Sequence, residues 1–387
     1  MALPNTLTGL IPTIYAARDV VSRELTGLIP ACTIDADSAR AAKDQTIRIE
    51  VVPAMSAGDI TPSMTPPTPN GVTMGYVDMT ISKSRAIQIP WSGEEQQSIG
   101  GSGPGINNTL RDQFAQAMRT LANEIEADLA GNYIYASRAY GTAATVPFAS
   151  TLGDAAQIRK ILDDNGAPAG DRHLVINTAA GAALRTLAQL TKANEAATDL
   201  TLRKGELLDL HGLAIRESAQ IVSPTVGTGA SATTNNAGYA VGATTITLAS
   251  AGTGTIVAGD VITFAGDTNK YVVKTGDSDV SNGGTIVLAA PGLRKAIAAS
   301  TTAITVVASS AMQLAFHRSA LILLNRAPYL PGGRDMAVDR MQVSDPATGL
   351  MFEVAAYLGY HAQFLEVSMA WGTKLIKPEH SAILLGA

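Results

Sequence analysis

At Pro224 the character of the chain changes. Residues 224–308 are dominated by Gly, Thr, Ser and Ala, and short alternating runs recur at Thr245–Leu248, Val261–Phe264, Tyr271–Lys274, Thr285–Leu288 and Ala303–Val307. Turn residues separate the runs at short intervals, and Gly266-Asp-Thr-Asn-Lys270 is one such turn rather than a nucleotide loop. A two-residue period broken by frequent turns predicts a small β-barrel or sandwich. Residues 153–222 instead alternate α and β. A helix is expected from about Asp154 to Asp164, stopping at Asn165–Gly166 with Pro168 beyond. A buried strand follows at Leu174–Ile176, then a second helix from Ala179 to Leu190, a turn at Leu207–Gly212 and a strand region at Leu213–Val222. Residues 312–324 and 351–377 return to that α/β style. The arrangement implied is an all-β domain inserted at a surface loop of an α/β domain.

Upstream, Ile14, Ala17, Val21 and Leu25 follow Pro12 and Thr13 at helical spacing, and Gly27 and Pro30 end that helix. Its polar face carries Arg18, Asp19, Arg23 and Glu24. The segment is either a helix packed on its own domain or an arm reaching a neighbour, since short isolated helices need a partner. Ile47, Ile49 and Val51 alternate with polar residues. Pro53, Pro62, Pro66, Pro67 and Pro69 exclude a central strand or helix in the next stretch. Val77, Met79 and Ile81 alternate, as do Ile87, Ile89 and Trp91, with a turn at Ser82–Arg85 joining them. The whole predicts a long two-stranded ribbon with an irregular tip, which needs another surface to lie on. After the break at Gly100–Gly105, Thr109 caps a helix with Asp112 three residues on. Leu110, Phe114, Ala117, Met118, Leu121, Ile125 and Leu129 share one face. Arg111, Gln116, Arg119, Asn123, Glu126 and Asp128 are left for the others, and Gly131 fits the C-terminal cap.

Charged residues are only 16% of the chain, and the net charge of −5 argues against a general nucleic-acid-coating role. Hydrophobic content of 46% excludes a disordered chain. No apolar stretch is long enough to span a membrane, and Met1 to Tyr15 lacks the basic start and apolar block of a signal peptide. The single cysteine, Cys32, excludes an internal disulfide framework and reads as a buried structural thiol suited to a reducing cytosol. The five histidines are scattered without a metal-ligand spacing, and no nucleophile elbow or phosphate loop occurs. Acidic pairs such as Glu94–Glu95 and Asp163–Asp164 read as solvated or helix-terminating residues. Catalysis, metal and cofactor are therefore not expected. A low-charge surface rich in small residues suggests coverage by other subunits.

Several segments together carry a family resemblance. They are Leu-Ile-Pro-Thr-Ile-Tyr-Ala-Ala-Arg-Asp-Val-Val-Ser-Arg-Glu at 10–24, Ile-Pro-Trp-Ser-Gly-Glu-Glu-Gln at 89–96, Gln-Ala-Met-Arg-Thr-Leu-Ala-Asn-Glu-Ile-Glu-Ala-Asp-Leu at 116–129, and Ile-Arg-Lys-Ile-Leu-Asp-Asp-Asn-Gly at 158–166. Leu-Ala-Phe-His-Arg-Ser-Ala at 314–320 and Trp-Gly-Thr-Lys-Leu-Ile-Lys-Pro-Glu-His at 371–380 complete the set. None is a mechanistic motif, but in order and over nearly the full chain they resemble the major capsid (coat) proteins of tailed double-stranded DNA bacteriophages. The resemblance points to the podovirus-type branch that carries an inserted β-domain.

The resemblance implies an α+β fold with six parts. Residues 1–45 are the N-terminal arm, 46–100 the extended β-ribbon loop and peripheral-domain strands, and 101–150 the spine helix and peripheral domain. Residues 151–223 and 309–387 are the two α/β portions of the axial and peripheral domains, flanking the inserted β-domain at 224–308. It further implies self-assembly into pentamers and hexamers that close an icosahedral shell around phage DNA. The partners implied are other copies, a scaffolding protein, the portal protein, double-stranded DNA without sequence-specific contact, and an optional decoration protein, with no membrane. The place implied is the virion capsid, assembled in the host bacterial cytoplasm. Candidate subunit-interface residues on the extended loop are Asp59, Asp78, Lys83 and Arg85. Asp19 and Glu24 are candidates for a basic scaffolding helix, and Asp277 and Asp279 for a contact between capsomers. Some family members weld neighbours through Lys and Asn side chains; here the loop from Val51 to Ser82 contains no Lys, so no such link is expected. Competing readings are a bacterial nanocompartment shell protein of the same general fold, an α/β enzyme with a β accessory domain, and a β-rich surface-binding module.

Overall fold

The structure, a computed structural model, describes residues 26–52, 57, 59, 60, 62–64, 74–98, 104–191, 209–333, 335–345 and 348–387. The N-terminal amphipathic segment, with Asp19 and Glu24, lies outside them, as does most of the proline-rich stretch.

In chain order the strands are β1 (Thr33–Ala41), β2 (Thr46–Val51), β3 (Gly75–Thr80), β4 (Lys83–Ser92), β5 (Arg138–Tyr140), β6 (Arg172–Ile176) and β7 (Ala214–Glu217). Then come β8 (Thr245–Thr247), β9 (Val261–Phe264), β10 (Lys270–Thr275), β11 (Thr285–Leu288) and β12 (Ile304–Val306). The last six are β13 (Ala311–His317), β14 (Leu321–Pro328), β15 (Ala337–Ser344), β16 (Met351–Gly359), β17 (Ala362–Leu375) and β18 (Ser381–Gly386). They form a six-stranded sheet ordered β1-β14-β17-β16-β15 with β4 also on β17, a ten-stranded sheet, and the two-stranded ribbon β2-β3. The chain is α+β.

A long helix, Pro104–Ala130, lies on the six-stranded sheet. Its predicted apolar face is the one buried: Leu110, Phe114, Ala117, Met118, Leu121, Ile125 and Leu129 share a core with Phe316 of β13, Leu323 of β14, Val354 of β16 and Trp371 of β17. The helix begins five residues before Thr109, so that residue is not its cap. At the other end the chain tightens into a 3₁₀ turn, Gly131–Tyr135, rather than stopping at a left-handed glycine. A second core lies between helix Gly153–Asp164, helix Thr178–Thr186 and the β6, β7, β13 and β18 strands. The helix expected over 179–190 is broken at Leu187, which is extended, and resumes as Ala188–Thr191.

Three expectations change. First, β3 and β4 do not pair. β2 pairs with β3 from Thr46↔Thr80 to Val51↔Gly75, whereas β4 pairs along ten residues with β17, from Ser92↔Ala362 to Lys83↔Trp371. The ribbon is therefore β2 and β3 alone, and Lys83 and Arg85 belong to the sheet. Second, the described residues of 311–386 form strands and 3₁₀ turns but no α-helix, against the α/β reading of 309–387. β13, β14 and β18 are buried along nearly their whole length, and such two-sided burial replaces alternation with a continuous apolar run. Third, the arm does not extend to residue 45. Leu28, Ile29, Ala31 and Cys32 are fully buried, and β1 runs parallel to β14 in the six-stranded sheet.

The segment 224–308 forms its own core from Ile246, Leu248, Ile262, Phe264, Tyr271, Val273, Ile286 and Leu288 among others. Its strands fall within a residue or so of the predicted runs. Its sheet is nevertheless continuous with the rest of the chain, because β10 pairs with β5 at Lys270↔Ala139 and Tyr271↔Arg138.

Candidate interaction surfaces

The ribbon has two unlike faces. Ile47, Ile49 and Val51 oppose Met79, Val77 and Gly75, while Arg48 opposes Asp78 and Glu50 opposes Tyr76. At the base Met79 and Ile81 are buried against Ile322, Leu324 and Ala370, with Ile47 and Ile49 packed alongside. Lys374 Nζ donates to the Asp78 carbonyl at 2.7 Å, tying the ribbon to β17. On the outer face Arg48 Nε meets Asp78 Oδ1 at 3.0 Å and its guanidinium stands 3.7 Å from the Tyr76 ring centroid. Farther out, Ile60 and Met64 are wholly exposed, and Met74 and Tyr76 are at least half exposed. Burying one such side chain is worth about 1.5–3 kcal/mol, and nothing described in the same chain covers Ile60 or Met64.

A second apolar surface lies at the β15 corner of the six-stranded sheet. The register Ala337↔Tyr357 sets Met336 toward Leu358, Val338 sits at the register shift that follows, and Tyr360 tops the β16–β17 hairpin; all four are exposed. A charged network stiffens this corner. Buried Glu353 accepts from Arg40 at 2.6 Å and Arg340 at 3.1 Å, and Asp335 accepts from Arg340 at 2.5 Å and from the Tyr357 hydroxyl at 2.7 Å. Burial, helped by the Asp335 carboxylate, holds the Tyr357 hydroxyl protonated far above its usual range.

The candidate interface residues are placed as follows. Asp59 is exposed in the β2–β3 connection. Asp78 pairs with Arg48, Lys83 with Asp128 at 2.7 Å, and Arg85 with Glu124 at 3.5 Å, so these three meet partners of their own chain. Asp277 and Asp279 shape their own loop: Asp277 Oδ1 accepts from the Asp279 amide, and Asp279 Oδ1 accepts from the Ser281 amide and hydroxyl. The Ser281 hydroxyl and amide hold the exposed Asp279 carboxyl below its ordinary range.

Two acids placed on the polar side of the long helix by spacing alone are structural anchors. Glu126 is fully buried; its Oε1 accepts from the Gly27 and Leu28 amides at 2.7 Å each, and its Oε2 from the Ile29 amide at 3.0 Å. It thereby fastens the chain that follows residue 25 onto the helix. Asp128 holds Lys83 with one oxygen and the Trp371 indole N–H at 2.8 Å with the other, joining the helix to β4 and β17. No spacing signal marks Glu126, because its three donors lie nearly a hundred residues away. Cys32 is buried, donates to the Ile29 carbonyl, and has its thiol pushed up to about 12, mainly by burial. No group of three or more potential ligands stands close enough to hold a metal, and no helix is long and apolar enough to cross a membrane, among the described residues.

No protein-family model and no curated relative matches the sequence. Among solved structures the chain is similar to the capsid of cyanophage P-SCSP1u, at 13% identity over 94% of this chain and 89% of that one, with a TM-score of 0.49. It is similar to a structure from Mycobacterium phage Che8, at 13% identity over 88% and 85%, with a TM-score of 0.46. It is similar also to a virus-like particle from Pyrococcus furiosus, at 10% identity over 97% and 98%, with a TM-score of 0.41.

Proposed function

We propose that this chain is the subunit of a self-assembling shell, the major capsid protein of a tailed bacteriophage of the branch with an inserted β-domain. The observation that carries the reading is the ribbon, whose base is packed into the fold while Ile60 and Met64 stand wholly exposed beyond it. Such side chains gain burial when the loop of one copy lies over the next, and the apolar β15 corner offers a surface of matching character. The full-length order of the capsid-like segments supports the same reading. Copies form pentamers and hexamers around double-stranded DNA, which an acidic chain confines without gripping. Assembly takes place in the bacterial cytoplasm on a scaffolding protein that meets Asp19 and Glu24, with a portal at one vertex and room for a decoration protein. Asp277 and Asp279 lie at a contact between capsomers. Asp59, Asp78, Lys83 and Arg85 contribute to the subunit interface, three of them from positions already held by intrachain pairs. The chain has no catalytic role.

Negative-stain electron microscopy of the expressed chain, with and without a candidate scaffold, tests this. Closed shells or tubes are expected; uniform monomers under all assembly conditions overturn it. Ile60→Asp with Met64→Asp should abolish assembly yet leave the monomer's melting temperature unchanged. Boiled, reduced particles should run as one monomer band, because the loop carries no Lys.

A further inference from the structure

Two direct strand-to-strand connections join the large sheets. β13, in the ten-stranded sheet, leads into β14 of the six-stranded sheet through the 3₁₀ turn Arg318–Ala320. β17, in the six-stranded sheet, returns to β18 of the ten-stranded sheet through the 3₁₀ turn Pro378–His380. The two crossovers touch. The Ile376 amide donates to the Ala320 carbonyl at 2.8 Å, and the β13–β18 register, ending at Phe316↔Ser381, sets His317 beside His380. Their rings meet edge to face, with centroids 6.2 Å apart.

We propose that His317 and His380 form a pH-sensitive latch on the joint between the two large sheets, closed while both rings are neutral and released when they take up protons.

The geometry favours neutral rings. His317 caps the first turn: its Nδ1 accepts from the Ser319 amide at 3.3 Å and lies 2.8 Å from the Ser319 hydroxyl. A proton on Nδ1 makes that atom a donor, which ends its acceptance from the Ser319 amide and leaves it only the Ser319 hydroxyl oxygen. Among the described residues His380 Nδ1 is buried without a hydrogen-bond partner, so a proton there finds no acceptor. The surroundings add positive charge. Arg172 of β6 and Lys377 of the second crossover oppose protonation of both rings, while Asp171 favours it at His317 and Glu379 at His380. Arg172 is itself spent on Asp163 and on the Ala167 and Pro168 carbonyls. Burial outweighs the two acids, and both rings titrate below their ordinary value of 6.5. A histidine whose folded pKa is depressed contributes stability that is present above the unfolded value and lost as pH falls through the folded one. The latch is therefore closed at neutral pH and opens in mild acid. The inference does not depend on the shell reading.

Hydrogen exchange of the full chain at pH 7.5 and 5.0, corrected for intrinsic rates, tests it. Peptides spanning 317–321 and 374–380 should open at least about tenfold more at pH 5.0, while those from the middles of β13 and β18 stay unchanged. His317→Asn keeps a capping oxygen that cannot titrate. Paired with His380→Gln it should flatten the pH response to within about twofold, on the same scale. Equal protection of the wild type at both pH values, or a double variant that keeps the wild-type response, overturns the proposal. A histidine-selective NMR titration of the wild type needs no variant: both rings should titrate below 6.5, and either one titrating at or above it also overturns the latch.

Discussion

The inserted segment and the body of the long helix bury their cores with different materials. In 224–308 the strands are three to six residues long, and backbone passes close to backbone. A Cβ on Gly276 would stand 2.0 Å from the Ile256 carbonyl oxygen, and one on Gly254, which has φ +86°, 2.4 Å from that of Thr228. Small residues there are a packing requirement. The helix and six-stranded sheet instead bury Phe114, Phe316, Phe352 and Trp371, with Glu126 and Glu353 fully or almost fully inside and each answered by several donors. The core of 224–308 closes mostly on partners within the segment, whereas the helix and sheet draw partners from up to several hundred residues away.

The largest expected effect falls on the long-range side. Glu126→Ala strands three buried amides and should cost about 3 kcal/mol or more in chemical denaturation; a loss below about 1 kcal/mol would deny that distant donors organise that core. Next comes Gly276→Ala, expected to cost about 2 kcal/mol by forcing backbone apart. By hydrogen exchange, β8, β10 and β11 should lose protection before β13 and β17 do. Equal loss in both would make the segment and the body one cooperative unit through the β5–β10 pairing. The smallest effect is Arg48→Ala, which breaks an ion pair with both side chains more than 40% exposed and should cost no more than about 0.5 kcal/mol. A larger change would mean that the ribbon's outer face matters within one chain.

Much of the inserted segment was legible because turns and two-residue periods are local properties. The apolar stripe from Leu110 to Leu129 was legible for the same reason. The sheet at 311–386 was not: strands buried on both faces lose the alternation that distinguishes them, so Ala311–His317 and Leu321–Pro328 look like any buried apolar run. The candidate interface residues are legible as charged and near the ribbon, but not as paired, since Lys83 and Arg85 find Asp128 and Glu124 about forty residues on. Asp277 and Asp279 could be placed in a loop but not recognised as its braces.

By itself the sequence determined the apolar stripe of the long helix, the helix that ends at Asp164, where the small strands of 224–308 begin and end, and that the ribbon must lean on something. Only the tertiary structure decided that β4 belongs to β17 rather than to β3, that both crossovers between the sheets meet at two histidines, and that Glu126 lies inside. The reason is physical. Periodicity records which face of an element turns from water, whereas pairing and the burial of a charge depend on which hydrogen-bond donors the rest of the chain delivers to that face.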